Sequence, residues 1–279
     1  MADSVHTLTA LRRHIAMLDR KPASDGHVRF ATGHEAMDRT LDGGLARGRV
    51  HELFGTSEEE GATSGFALLL ARLASDDAPL LWLRTHAASR AGGVPYGPGL
   101  AAMGLDPTRL LIGIMADDTM LLRAAVEALR CPALGALVIE LRGRAPLLDL
   151  TASRRMALAA EASGVTALLL RIGGDPVPSA AETRWRVEAA PSLPLPEDPS
   201  GRIPGMSAFA LTLLRRRAGR DGLEWRLVWD SEKGGFEEIA GDRRHERDGD
   251  GRAAGGADPA LSGALVSLPP DRPAAGHAA

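Results

Sequence analysis

The sequence contains little cysteine and few aromatic side chains, and each shortage excludes a class of protein. Cys131 is the only cysteine, which excludes an internal disulfide and a cysteine-based metal cluster and fits a reducing, cytoplasmic setting. Aromatic residues make up 4% of the chain, so leucine, alanine and valine must fill any core. No apolar run reaches the roughly 18 residues of a membrane helix, and we expect neither a membrane anchor nor a signal peptide.

The chain also lacks an excess of positive charge. Lys21 and Lys233 are its only lysines, and 33 basic residues face 36 acidic ones for a net charge of −3. A basic excess is the electrostatic sign of a nucleic-acid binder, so the overall composition gives no indication of DNA binding. With 279 residues, 44% of them apolar, the chain is long enough for one domain with extensions or for two small domains.

The most informative stretch is Leu41–Ser64, which has the layout of a strand, a glycine-bounded loop and a helix start. Arg49–Phe54 alternates as a short strand does, and Phe66–Ala74 is an apolar helix. A phosphate-binding loop between them would read G-x-x-x-x-G-K-[ST]. Here the two glycines are one residue too far apart, alanine occupies the lysine position and three glutamates fill the loop. The residues of this degenerate phosphate loop are Gly55, Glu58, Glu59, Glu60, Gly61, Ala62 and Thr63.

The loop lacks the main residues that nucleotide hydrolysis requires. Triphosphate hydrolysis needs a lysine on the phosphates, a magnesium ligand and a carboxylate that orients water, and Ala62 removes the first of these. Thr63 is either the hydroxyl ligand or simply a helix cap. A glutamate about 4 Å from a phosphate costs roughly 4 kcal/mol per charge pair at an effective dielectric of about 20. We therefore predict a protein with no cofactor, no metal and no enzymatic activity.

Strand and helix patterns alternate after the loop, and short apolar strands separated by helices indicate a parallel sheet covered on both faces. The predicted strands are Leu80–Leu83, Leu110–Ile114, Ala136–Ile139 and Thr166–Leu170, and the predicted helices are Asp117–Leu129 and Leu150–Ala162. Three more strands, predicted to be antiparallel at one edge, are Thr183–Val187, Ala208–Leu214 and Leu223–Trp229. The predicted fold class is α/β, with a mostly parallel central sheet and antiparallel edge strands.

An amphipathic helix precedes this domain and a polar tail follows it. Ser4–Leu18 carries an apolar stripe at helical spacing, which packs either on its own domain or on a partner. The stripe is the candidate partner-binding surface and consists of Val5, Leu8, Leu11, Ile15 and Leu18. Gly241–Ala279 has few large apolar residues and is predicted to be disordered. The predicted organisation is therefore a helix and linker (1–26), a domain with the degenerate loop (27–240) and a tail (241–279).

The succession from Leu41 to Ala74 resembles the RecA recombinase core. RecA-like chains carry a Gly-Gly-Leu-x-x-Gly run before the strand and phosphate loop, as Gly43–Gly48 does here. Further motifs, taken in order, resemble a narrower family, ImuA, the RecA-like damage-tolerance proteins of bacteria. These motifs are Val50-His51-Glu52, Pro95-Tyr96-Gly97-Pro98-Gly99-Leu100, Gly104-Leu105-Asp106-Pro107, Glu127-Ala128-Leu129-Arg130-Cys131, Thr183-Arg184-Trp185-Arg186-Val187 and Leu223-Glu224-Trp225.

The ImuA resemblance implies a non-catalytic accessory role in SOS translesion mutagenesis, through contacts with RecA and the polymerase-like ImuB and indirectly with an error-prone polymerase. The RecA resemblance implies a catalytic carboxylate after strand Leu80–Leu83, where Arg84 stands instead. Glu140 occupies the magnesium-associated strand end and, without partners, is predicted to be structural. The segments that correspond to the two DNA-binding loops are short, so weak or no direct DNA binding is expected.

Two other functions stay open at this stage: a SulA-like inhibitor of cell division that acts on FtsZ, and a divergent RecA-like ATPase. The remaining candidate residues have simpler interpretations. His14 and His51 have no partner at metal-ligand spacing, so surface or packing roles are favoured. The basic run Arg215–Arg217 is predicted to be solvated surface. Three tryptophans on predicted strands are assigned to the core: Trp185, Trp225 and Trp229.

Overall fold

The computed structural model describes residues 28–193 and 205–239 of the chain. These residues form a nine-stranded sheet with helices on both faces, together with a two-stranded ribbon that pairs β1 (Arg29–Phe30) with β2 (Leu45–Ala46). The strands of the large sheet are β3 (Val50–Gly55), β4 (Leu80–Thr85), β5 (Leu110–Met115), β6 (Ala136–Arg142), β7 (Thr166–Ile172), β8 (Thr183–Leu193), β9 (Met206–Arg216), β10 (Leu223–Asp230) and β11 (Gly235–Glu238).

Helices connect the parallel strands. They are α1 (Glu35–Thr40), α2 (Glu60–Ser75), α3 (His86–Gly92), α4 (Gly97–Ala102), α5 (Asp118–Ala128) and α6 (Leu150–Ser163), with a 3-10 turn at Pro107–Arg109. No helix within the two described ranges is long and apolar enough to span a bilayer. The predicted helix Ser4–Leu18, with its apolar stripe, and the predicted tail Gly241–Ala279 lie outside the described residues.

The strand order is β11-β10-β9-β8-β3-β7-β6-β4-β5. The six strands from β8 to β5 are parallel, and β9, β10 and β11 continue the sheet as antiparallel neighbours. This arrangement confirms the predicted α/β class with antiparallel strands at one edge. One prediction was wrong: the strand that begins at Thr183 is parallel to β3, with Glu52 opposite Arg184, because it crosses back over the sheet before pairing.

Three parallel strands run two or three residues beyond their predicted ends. β4 continues through Arg84, β6 through Glu140, and β7 through Arg171. These charged residues interrupt the apolar runs in the sequence, yet each of the three is at most 2% exposed. Burying a charge is costly unless partners from elsewhere in the chain compensate it, and such partners do not show in a local pattern.

Two glycines allow close backbone packing around β3. Gly44 has a φ of +113°, and a Cβ there would lie 2.0 Å from the carbonyl oxygen of Phe30. A Cβ at Gly55 would lie 1.9 Å from Thr63 Oγ1. Gly44 therefore lets the chain before β2 approach β1, and Gly55 lets the start of α2 approach the end of β3.

The core has one apolar layer on each face of the sheet. On one face α2 packs on the strands through residues such as Phe66, Leu53 and Leu170. On the other face α5 and α6 pack on residues such as Ile139 and Leu169. The predicted burial of the three tryptophans is confirmed, with exposures of 0%, 3% and 4% for Trp185, Trp225 and Trp229.

Candidate functional site

The candidate site lies at the carboxyl edge of the parallel strands, on the face that α2 covers. Ligands of open α/β sheets bind in the crevice at this edge. The start of α2 and the ends of β4 and β6 meet there and contribute four charged side chains. We call them the edge cluster: Glu60, Arg84, Glu140 and Arg142.

Arg84 and Glu140 form a buried, two-pronged ion pair at the centre of the edge cluster. Arg84 Nε donates to Glu140 Oε2 at 2.6 Å, and Nη2 donates to Oε1 at 3.3 Å. Arg84 also donates to the carbonyl oxygens of Gly93 at 2.6 Å and Ala88 at 3.2 Å. Its Cζ lies 4.6 Å from the ring centroid of Trp82. The prediction that Glu140 has no partners was therefore wrong, because Arg84 comes from a strand 56 residues away in sequence.

Arg142 joins the start of α2 to this pair. Its Nη1 donates to Glu60 Oε1 and lies 3.4 Å from Glu140 Oε1. The hydrogen bond to Glu60 raises the pKa of Arg142, with burial opposing it. The edge cluster thus contains two positive and two negative side chains, and each cation contacts a carboxylate.

α3 closes over the edge cluster. A Cβ at Gly92 would lie 2.1 Å from Glu60 Oε1 and 2.8 Å from Arg84 Nη2. The next residue, Gly93, supplies the carbonyl oxygen that Arg84 contacts. The C-terminal end of α3 therefore occupies space directly beside these charges, and only glycine fits there without displacing them.

The three glutamates of the degenerate loop have separate environments. α2 begins at Glu60, earlier than the predicted start near Phe66, so Glu60 belongs to the helix. Glu59 accepts a hydrogen bond from the backbone N–H of Ala189 at 2.6 Å. Glu58 is exposed, and hydrogen bonds to its own backbone and to Thr56 lower its pKa. The fold therefore does not present a row of three loop carboxylates, because Glu60 pairs with Arg142, Glu59 binds the backbone of β8, and Glu58 alone of the three is exposed.

The hydroxyl of Thr63 is also engaged inside the protein. Thr63 is fully buried, and its Oγ1 donates to the carbonyl oxygen of Glu59 at 2.9 Å. The N-cap of α2 is Glu59, so Thr63 does not cap the helix. Its hydroxyl faces Gly55 at the end of β3, where it packs the helix start against the strand.

The described residues do not fit a magnesium–nucleotide complex, the ligand that a RecA-like fold implies. A phosphate chain requires cationic donors that are not already neutralised, and Arg84 and Arg142 are both paired. The lysine in the described ranges, Lys233, follows β10 and contacts Asp230 and Glu237. A triphosphate at this edge would have to separate Glu60 and Glu140 from their arginines.

A second buried group of charges occupies the opposite face of the same edge. We call it the opposite cluster: Glu52, Arg171 and Arg184. Glu52 Oε2 lies 2.8 Å from Arg184 Nε, but neither atom is aligned for a hydrogen bond. Arg171 Nε and Nη1 have no hydrogen-bond partner among the described residues. Burial raises the pKa of Glu52 and lowers that of Arg171.

His51 is part of a buried hydrogen-bond chain rather than a metal site. Trp185 Nε1 donates to Thr183 Oγ1 at 2.7 Å, and Thr183 Oγ1 lies 2.8 Å from His51 Nδ1. His51 Nε2 lies 2.9 Å from the carbonyl oxygen of Ala46 and can donate to it. Burial lowers the pKa of His51 to about 4, so the ring is neutral at pH 7. This supports the packing interpretation, and His14 lies outside the described residues.

Two further sequence-based predictions are answered by the geometry. Arg215 and Arg217 are exposed, as expected for solvated surface. Arg216 is not: its side chain is 8% exposed, donates to the carbonyl oxygen of Thr40 at 2.7 Å and pairs with Asp42. The alternation of a strand explains the difference, since Arg216 turns towards α1. Within residues 28–193 and 205–239, no group of three or more histidine, cysteine or acidic side chains could hold a metal ion.

The comparisons with known proteins agree with the fold. The fold is similar to that of the RadB recombinase, with a TM-score of 0.50 and 15% identity, over 75% of this chain and 99% of that one. Two curated relatives from Caulobacter vibrioides, strains NA1000 / CB15N and ATCC 19089 / CIP 103742 / CB 15, are each named Protein ImuA. Both are 32% identical over 195 residues, which cover 64% of this chain and 75% of the relative. The chain belongs to the ImuA family. No family model matches it.

In this ImuA-family chain, the sequence located the degenerate loop but not the pairs that fill the edge. A signal was present: β4 and β6 each end their apolar run with a charged residue, Arg84 on one and Glu140 on the other. Opposite charges at the ends of neighbouring parallel strands are candidates for a buried pair. The register, in which β4 and β6 are adjacent, was needed to bring them together.

Proposed function

We propose that this ImuA-family protein is a non-catalytic accessory factor of SOS translesion mutagenesis that acts by binding RecA and the polymerase-like ImuB. The observation that carries the proposal is the edge cluster. Where a RecA-like ATPase needs unpaired cations for phosphates, this chain has Arg84 and Arg142 each paired with a glutamate.

In physical terms, the edge cluster stabilises the fold from within. Separating a buried ion pair leaves uncompensated charge and costs about 3–5 kcal/mol, so nucleotide binding would work against this edge. A protein built in this way keeps one shape without a nucleotide cycle. That property supports a scaffold, and membership of the ImuA family supports the SOS setting.

The first arm of the test is a calorimetric titration of the full chain with Mg-ATP, with a nucleotide-binding RecA protein as positive control. We expect no binding heat up to millimolar nucleotide, since the donors are occupied. Saturable binding in the micromolar range would overturn the non-catalytic part of the proposal.

The second arm addresses the partners. A tagged full chain, expressed in its host and purified after DNA damage, should retain RecA and ImuB. An untagged host lysate on the same resin gives the background. Retention of FtsZ in place of both proteins would overturn the proposal in favour of a cell-division inhibitor, and retention of none of the three would refute the scaffold role.

A further inference from the structure

An apolar groove runs between α5 and α6, on the sheet face opposite the edge cluster. It encloses about 650 Å³. Apolar side chains from both helices line it, including Leu122, Val126 and Met156. Leu147, which precedes α6, lies along the same groove and is 49% exposed. A space of this size lined by aliphatic side chains is suited to several leucine-sized groups.

The rim of the groove is positively charged. Arg123 and Arg130 on α5 and Arg155 on α6 line it, together with one acidic residue, Glu127. Glu127 pairs with Arg130 at 2.8 Å. In the described part of the chain, no carboxylate lies within ion-pair distance of Arg123 or Arg155. Two exposed arginines, one on each helix, therefore flank the apolar groove, and no carboxylate of the described residues forms an ion pair with either of them.

We propose that this groove binds an amphipathic helix of a partner protein, one that carries leucine-sized side chains on one face and acidic side chains beside them. Two neighbouring helices with an apolar groove between them suit the insertion of a third helix. The arginines on both rims select acidic flanks by charge complementarity. The apolar lining disfavours a nucleic-acid backbone, whose phosphates require polar or charged contacts.

This inference is independent of the proposed function, because none of the groove residues belongs to the edge cluster. The groove can bind a helix whether or not the edge binds nucleotide. The failure of one proposal therefore leaves the other standing, and the two tests use different ligands.

The test uses two fluorescein-labelled peptides with the full chain. Both are short amphipathic helices with leucines on one face, flanked by glutamates in one peptide and by lysines in the other. Fluorescence anisotropy should show saturable binding of the glutamate peptide and at least about tenfold weaker binding of the lysine peptide. Binding of the glutamate peptide should weaken as salt screens the rim arginines.

Matched variants locate the binding surface. Arg155→Glu should weaken binding of the glutamate peptide by about tenfold. The control is Arg154→Glu, the same change at an exposed neighbour outside the groove, which should change the affinity by less than about twofold. Leu147→Asp should weaken binding in the same way. Its control is Leu158→Asp, since Leu158 is 67% exposed on α6 and does not line the groove.

Three results would overturn the proposal. The first is the absence of binding by both peptides, and the second is equal binding of the two. The third is equal loss in the paired groove and control variants. Sedimentation of the full chain tests whether a second copy of the chain fills the groove instead. If the chain forms a dimer that Leu147→Asp dissociates and Leu158→Asp does not, a second copy fills the groove in place of an acidic helix.

Discussion

The edge cluster and the opposite cluster lie at the same edge of the sheet, on its two faces, and are paired to very different extents. In the edge cluster Arg84 bonds both oxygens of Glu140 and two backbone carbonyls. In the opposite cluster Arg184 lies 2.8 Å from Glu52 and donates to Ser179 Oγ and to the carbonyl oxygen of Val177, but Arg171 Nε and Nη1 have no hydrogen-bond partner among the described residues. The Arg84–Glu140 pair and the opposite cluster are almost inaccessible to solvent, whereas Glu60 and Arg142 at the margin of the edge cluster are partly exposed.

This difference shows that burial alone does not decide what a charge contributes. Moving an ion into the interior costs several kcal/mol, which is offset only when geometry and additional hydrogen bonds are good. The Arg84–Glu140 pair of the edge cluster meets that condition. The opposite cluster meets it only in part, so Arg171 should contribute less to stability.

The largest expected effect comes from breaking the edge cluster with Arg84→Met. This change leaves Glu140 buried with only Arg142 nearby, at 3.4 Å. We expect the free energy of unfolding to fall by about 3–5 kcal/mol, measured by urea denaturation. The comparison depends on burial, so the control is Arg39→Met, which removes an exposed 2.8 Å ion pair with Glu35.

The control variant should unfold at nearly the same urea concentration as the unmodified chain, because exposed ion pairs contribute little. If Arg84→Met were equally mild, the edge cluster would not hold the fold together. Its internal ion pairs would then not explain how this edge of the sheet is stabilised.

The fold was largely predictable because local pattern determines it. The apolar runs at Leu80, Leu110, Ala136 and Thr166 each became a parallel strand. The exceptions are informative. β11 (Gly235–Glu238) is four residues long and was not predicted, since it has too few residues for a recognisable alternation. Its place in the sheet depends on pairing with β10.

From the sequence, the site was predictable only through the phosphate-loop residues that it lacks. Ala62 and the displaced glycine show in the sequence that the phosphate loop is degenerate. What fills the edge instead depends on contacts between distant segments, such as Arg142 with Glu60, 82 residues apart. A charged residue inside a strand has no local signature that distinguishes a buried pair from an exposed end, so the sequence could not give the cluster.

A change of pH should have an effect of intermediate size on the free energy of unfolding. It compares the two faces of the sheet through His51 and Glu52, neighbouring residues of β3 whose side chains lie on opposite faces. The pKa of His51 falls from its ordinary 6.5 to about 4 on burial, so the unfolded chain binds a proton in this range that the folded chain does not. The free energy of unfolding is therefore not reduced by His51 above about pH 6.5. Below that pH it falls by about 1.4 kcal/mol for each pH unit.

Urea denaturation at about pH 7 and about pH 5 should therefore show a loss of about 2 kcal/mol in the unmodified chain. His51→Gln should show a smaller loss, although its stability at neutral pH is lower. The raised pKa of Glu52 acts with the opposite sign, because a folded state that binds the proton more tightly loses stability as pH rises. Equal acid sensitivity in both proteins would mean that His51 is not the group responsible.

The smallest expected effect is that of Arg171→Met, the same substitution as in the edge cluster but on the opposite face. Methionine fills much of the arginine volume and removes two donors that have no partner among the described residues. Glu52 keeps Arg184 at 2.8 Å. We expect the free energy of unfolding to stay within about 1 kcal/mol of the unmodified chain, or to rise, because replacing an incompletely paired buried charge by an apolar group is often neutral or stabilising. Urea denaturation beside Arg84→Met makes the comparison direct. If both variants lose several kcal/mol, the attraction of Arg171 to Glu52 and Asp175 and its position over the Phe54 ring compensate the guanidinium despite its two unbonded donors. The two clusters would then be equivalent in energy despite their different geometry.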